Sequence, residues 1–106
     1  MTNPVITPDG SKFWYKKGAL HRVDGPAVEY SYGTKFWYIN DQLHRTDGPA
    51  IEYPNGTKHW YADGKLHRTD GPAIEQANGA KYWLLGGTKV SLKKHGAMVA
   101  KLAVVS

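Results

Sequence analysis

Three side-chain types that often act in catalysis or ligand binding recur in one order along this chain. His21-Arg22-Val23-Asp24, His44-Arg45-Thr46-Asp47 and His67-Arg68-Thr69-Asp70 are each followed by Gly-Pro-Ala, then by Glu29, Glu52 or Glu75. An imidazole, a guanidinium and carboxylates could serve acid–base chemistry, grip an anion or hold a metal. The spacing argues against each. Equivalent residues stand 23 positions apart, and two strands per unit would set them roughly 10 Å apart along a sheet. His21, His44 and His67 then cannot share one ion, and one His with one Asp per unit is too small a set for a structural zinc. The lack of Cys removes thiolate ligands and a thiol nucleophile, and fits a reducing compartment. The expectation is no catalytic residue, no metal, no cofactor and no enzyme.

The same residues make sense as a corner that joins one unit to the next. Asp24, Asp47 and Asp70 precede Gly, where an Asx side chain bonds nearby backbone N–H groups. Arg22, Arg45 and Arg68 can pair with that Asp or with Glu29, Glu52 and Glu75. The His rings can stack or bond between neighbouring units. A contact that holds units together must recur with each unit.

The elements that would position these corners follow the same period. Trp14, Trp37, Trp60 and Trp83 are in step, as are Gly10, Gly33, Gly56 and Gly79. Three units span 10–32, 33–55 and 56–78, a partial unit spans 79–90, and a C-terminal cap spans 91–106. The chain reads as one repeat domain with no linker. Each unit holds two strand-like runs. One is aromatic (KFWY, KFWYI, KHWYA, KYWLL) and the other begins with Pro (PAVEY, PAIEY, PAIEQ). Lys17-Gly18, Asn40-Asp41, Asp63-Gly64, Asn55-Gly56 and Asn78-Gly79 mark tight turns between runs. The predicted fold is mainly β, an elongated antiparallel meander. Alternation puts Lys12, Trp14 and their equivalents on one face. Phe13, Tyr15, Phe36, Tyr38, His59, Tyr61 and Tyr82 fall on the other. Trp14, Trp37, Trp60 and Trp83 are expected to form a core stripe with Leu20, Leu43 and Leu66. The opposite aromatic row, beside Lys35 and Lys58, is the candidate partner surface.

The period, the paired strands, the W-Y-x-x-G turn and the Gly placement over residues 10–87 resemble MORN repeats, more closely the degenerate MORN-like repeats of bacterial and phage proteins. The resemblance implies an elongated sheet that serves as a binding or assembly surface. It further implies a small accessory protein that binds and inhibits a protein target, such as a host-defence effector (a CRISPR component, for example) or a toxin. The His-Arg-x-Asp-Gly-Pro-Ala stretch departs from the usual repeat, which weakens any lipid-binding role taken from it.

After Gly87 the pattern breaks. Ser91 is placed to cap a helix over about 92–104, with Leu92, Val99 and Leu102 in one stripe and Met98 close by. AMVAKLAVV also suits a strand, and the segment serves either as a cap or as a docking or dimerising element. No apolar run is long enough to cross a bilayer, and the N-terminus lacks a signal-peptide pattern, so the cytoplasm is expected, the host's if the chain is phage-encoded. The net charge of +5 favours acidic partners. A nucleic-acid reading rests on the Lys12, Lys35, Lys58 and Lys81 ladder beside aromatics, but much of the excess sits in Lys16, Lys17, Lys89, Lys93, Lys94 and Lys101. A protein partner is the leading expectation, with nucleic acid second, and a homodimer through the sheet edge or the C-terminal segment is also open.

Overall fold

The computed structural model describes the backbone of residues 3–105 and the side chains of residues 3–100. Its main element is one nine-stranded antiparallel sheet whose strands lie in sequence order. They are Val5–Ile6, Lys12–Phe13, Val28–Glu29, Lys35–Phe36, Ile51–Glu52, Lys58–His59, Ile74–Glu75, Lys81–Leu85 and Thr88–Val90. Three hairpins accompany it: Tyr15–Lys16 with Ala19–Leu20, Tyr38–Ile39 with Gln42–Leu43, and Tyr61–Ala62 with Lys65–Leu66. The expected β-meander is therefore present, and no barrel closes.

The strand count per unit differs from the expected two. Each of the first three aromatic runs breaks at its tryptophan, with one half in the long sheet and the other in a hairpin. The Trp37 N–H donates to the Ala50 carbonyl at 2.8 Å, while its own carbonyl accepts from the His44 N–H at 3.1 Å. Trp14 and Trp60 repeat this pattern with Ala27 and His21, and with Ala73 and His67. One residue thus ties the sheet to the corner. The fourth run, Lys81–Leu85, stays a single strand, and it is the one run that no corner motif follows.

The hairpin turns use left-handed backbone at both central positions, as type I′ turns require. Asp41 is the exception to Gly at the second position, with φ of 66°. Its carboxylate accepts the Leu20 N–H at 2.6 Å and its own N–H donates to the Leu20 carbonyl at 2.9 Å, which offsets the strain. Gly64 and Gly87 bond Leu43 and Leu66 in the same way, so each hairpin hangs on the one before it.

Cross-strand register makes the two faces unlike. One row alternates charge across seven strands: Lys12, Glu29, Lys35, Glu52, Lys58, Glu75, Lys81. The other row is Val5, Phe13, Val28, Phe36, Ile51, His59, Ile74, Tyr82. The most deeply covered residues are Ala27, Ala50 and Ala73, at 0 % exposure, with Val28 and Ile51 also buried. Trp14 is buried, whereas Trp37, Trp60, Trp83 and the expected partners Leu20, Leu43 and Leu66 are half-buried. A molecule of 47 × 33 × 18 Å is thin, so small residues against the backbone are covered before large rings are. Its radius of gyration of 15.3 Å exceeds the roughly 13 Å of a compact chain this long.

Both ends carry caps. Val5–Ile6 is the second strand of a half unit upstream of residue 10, in register with Phe13 and Lys12. The Thr7 N–H donates inward to the Ser11 carbonyl at 2.9 Å. By alternation, Pro4 and Ile6 face outward on this edge, and Pro8 lies in the turn that the Gly10 N–H closes on the Thr7 carbonyl at 2.9 Å. Pro4 lacks an N–H, which blunts the edge against strand pairing.

At the other end, helix α1 spans Leu92–Val105 and replaces the strand alternative. The Lys94 N–H donates to Ser91 Oγ at 3.1 Å, giving the expected cap. The expected stripe is corrected. Leu92 is exposed, and His95 and Val99 are the covered positions. A hydrogen bond from His95 Nε2–H to the Arg68 carbonyl, at 2.6 Å, sets the helix rotation. The Leu102 side chain lies outside those described. Among the described residues no helix is long and apolar enough to cross a membrane.

Candidate functional site

The corner motif is built outward from its arginine. Arg45 lays its guanidinium over the Trp37 ring at 3.8 Å. Its Nε donates to Asp47 Oδ1 at 2.9 Å, and its Nη1 to the Pro49 carbonyl at 3.0 Å and Glu52 Oε2 at 2.8 Å. Arg22 does the same with Trp14, Asp24, Pro26 and Glu29. Arg68 repeats it with Trp60, Asp70, Pro72 and Glu75. Hydrogen bonds from the arginines hold the Asp47 and Asp70 carboxyls below the usual range. Gly25, Gly48 and Gly71 are needed for clearance, because a Cβ there would stand 3.0, 2.9 and 2.7 Å from the guanidinium carbon. The Pro supplies a carbonyl acceptor and needs no N–H. The Arg, Asp, Gly and Pro of the motif thus share a single knot.

The histidines link that knot to the following unit. The Nδ1 atoms of His21, His44 and His67 accept from the N–H groups of Asn40, Asp63 and Gly86, at 3.1, 3.1 and 2.8 Å. Nδ1 as acceptor requires the proton on Nε2. The three histidines stay apart, and among the described residues no group of three or more His, Asp or Glu could hold a metal. The corner side chains already have partners, so the motif presents structure more than chemistry.

The aromatic face is less committed. Phe13 and Phe36 each meet Tyr30 edge-on, Tyr32 stacks on Tyr30 at 5.1 Å, and Tyr38 stacks on Phe36 at 6.2 Å. His59 meets Tyr53 at 5.4 Å, and Lys89 Nζ lies over the Tyr82 ring at 4.3 Å. Tyr32 is 65 % exposed and Tyr15 41 %. Burial pushes the Tyr38 and Tyr61 hydroxyls up and the His59 imidazole down. Lys35 and Lys58, expected beside this row, lie on the opposite face between glutamates. The structure therefore separates the candidate lysines from the candidate aromatics.

Sequence reasoning missed Tyr30, Tyr32 and Tyr53, because it tracked the first run of each unit and these rings sit at the end of the second. Position 23 residues upstream of Tyr53 being Tyr30 was the signal that could have found them. It also missed His95, which carries no repeat signature. A third feature is a cleft of ≈ 530 Å³ between the first two corners, with Trp37 and Ile39 among its lining.

A scan against protein-family models, a search of the curated proteins and a search of the solved structures each return no match.

Proposed function

We propose that this chain is a non-enzymatic, protein-binding module that meets its partner through the aromatic face. The observation that carries the reading is the division between the two faces. Arginine, aspartate and glutamate of each corner are engaged with one another, and the lysine row alternates with glutamate. What remains is a row of stacked, partly exposed rings, the composition that protein interfaces favour. The MORN-like pattern supports a binding surface on an elongated repeat. On that resemblance, the partner is a host-defence effector or a toxin in a bacterial cytoplasm, and binding inhibits it.

The test is capture from bacterial lysate by the wild-type chain and by a Tyr15→Ser/Tyr32→Ser variant, with and without nuclease, at low and at about 0.3 M salt, where exposed-charge attraction is largely screened. A stoichiometric protein that survives nuclease and salt, and that the variant fails to hold, supports the reading. Recovery of nucleic acid alone, lost with salt, would replace it with the nucleic-acid alternative.

A further inference from the structure

The third corner already has an occupant, and it comes from the chain itself. Helix α1 places His95, 4 % exposed, against this corner with Nε2–H on the Arg68 carbonyl at 2.6 Å. Arg22 holds the same repeat position as Arg68. The Arg22 N–H donates to the Tyr38 carbonyl at 3.2 Å, and the Arg68 N–H to the Leu84 carbonyl at 3.3 Å. Among the described residues the Arg22 carbonyl accepts no hydrogen bond. Leu85, beside the docked helix, is buried, while its equivalent Ile39 is half-exposed. The following unit supplies the second corner at the position where the fourth run supplies the helix, and among the described residues nothing in it bonds the Arg22 carbonyl. The surface there forms the ≈ 530 Å³ cleft lined by Arg22, Val23, Asp24, Trp37, Ile39 and Asp47, among others.

We propose that this cleft binds an imidazole side chain presented by a protein partner. Its N–H would take the place on the Arg22 carbonyl that His95 takes on Arg68. Asp24 and Asp47 balance Arg22 and Arg45 in the lining and leave Oδ2 as a further acceptor. Each gives Oδ1 to its arginine, and both carboxylates are mostly solvent-exposed. Trp37 and Ile39 offer an apolar wall for the rest of the side chain. Val23, 83 % exposed, stands at the cleft where the other two corners have Thr, which adds apolar surface to this copy alone. The reading stands apart from the aromatic face, and gives a protein partner a second point of contact.

The probe is a capped peptide of residues 91–100, SLKKHGAMVA, added to the full-length, isotope-labelled chain and followed by amide chemical shifts. Shifts are expected at Val23, Thr46 and the Trp37 indole N–H. The peptide carrying His95→Ala should bind about tenfold more weakly, the weight of one good hydrogen bond. Thr46→Trp in the chain, at an exposed position lining the cleft, should abolish the shifts. The Tyr15→Ser/Tyr32→Ser chain should respond as wild type does, so failure of the aromatic-face reading is seen separately. No shift at millimolar peptide, equal binding by the His95→Ala peptide, or shifts confined to residues 68–71 through exchange with the chain's own helix would each overturn the proposal.

Discussion

At the scale of the residue, the motif is explained by what surrounds one guanidinium. Gly48 has nothing unusual in its φ, yet a methyl there would stand 2.9 Å from the Arg45 Cζ. Gly48→Ala should push the guanidinium off the Trp37 ring and lower unfolding free energy by about 1 kcal/mol, the weight of the lost stacking, measurable by urea titration. His59 gives the pH prediction. It stands in register between Ile51 and Ile74, where other units place Phe or Tyr, and burial lowers its pKa from the ordinary 6.5. Below 6.5 the unfolded chain then binds the proton that the fold resists. Stability should rise with pH up to about 6.5 from this residue and level off above it. His59→Phe should flatten that part of a pH series of melting temperatures, and an unchanged slope would assign it elsewhere. The aspartates add a separate loss at lower pH, since Asp47 and Asp70 are held below the carboxylate range by their arginines.

At the scale of the element, much was legible in the sequence. The 23-residue step fixed the turns, because Asn-Gly and Asp-Gly pairs supply the positive φ seen at Gly56, Gly64 and Gly79. Alternation fixed the faces of Phe13 and Trp14. The break at each tryptophan was not legible, because β-propensity over KFWYI is continuous. Only the pull of the corner on the Trp37 carbonyl divides the run. The place of His95 on the covered side of the helix was not legible either, since its bond to the Arg68 carbonyl leaves no repeat or stripe signature. The N-terminal edge carries the element-scale prediction. Pro4 stands two residues before Ile6 on the outward side of the edge, and the Ile6 side chain is exposed. Pro4→Thr restores a donor beside exposed Val5 and Ile6. Sedimentation should show concentration-dependent association that the wild-type edge resists.

At the scale of the whole molecule, the chain is a nearly one-dimensional stack 47 Å long and 18 Å thick. Such an array has little central core, and its stability rests on contacts that repeat from unit to unit. The stacking of arginine on tryptophan, tied to Asp, Glu and the proline carbonyl, recurs at all three corners. It also engages the side chains of the His-Arg-x-Asp motif, which is the ground for proposing the aromatic face as the partner surface. The direct measurement is a double-mutant cycle by urea unfolding on Trp37→Leu, Arg45→Met and the pair, in the middle unit. A coupling of about 1–2 kcal/mol is expected for a cation–π contact that is mostly withdrawn from solvent. Additive effects, with Arg45→Met as stable as the wild type, would mean that the guanidinium holds nothing, and would return all three arginines to the list of candidate ligand-binding residues.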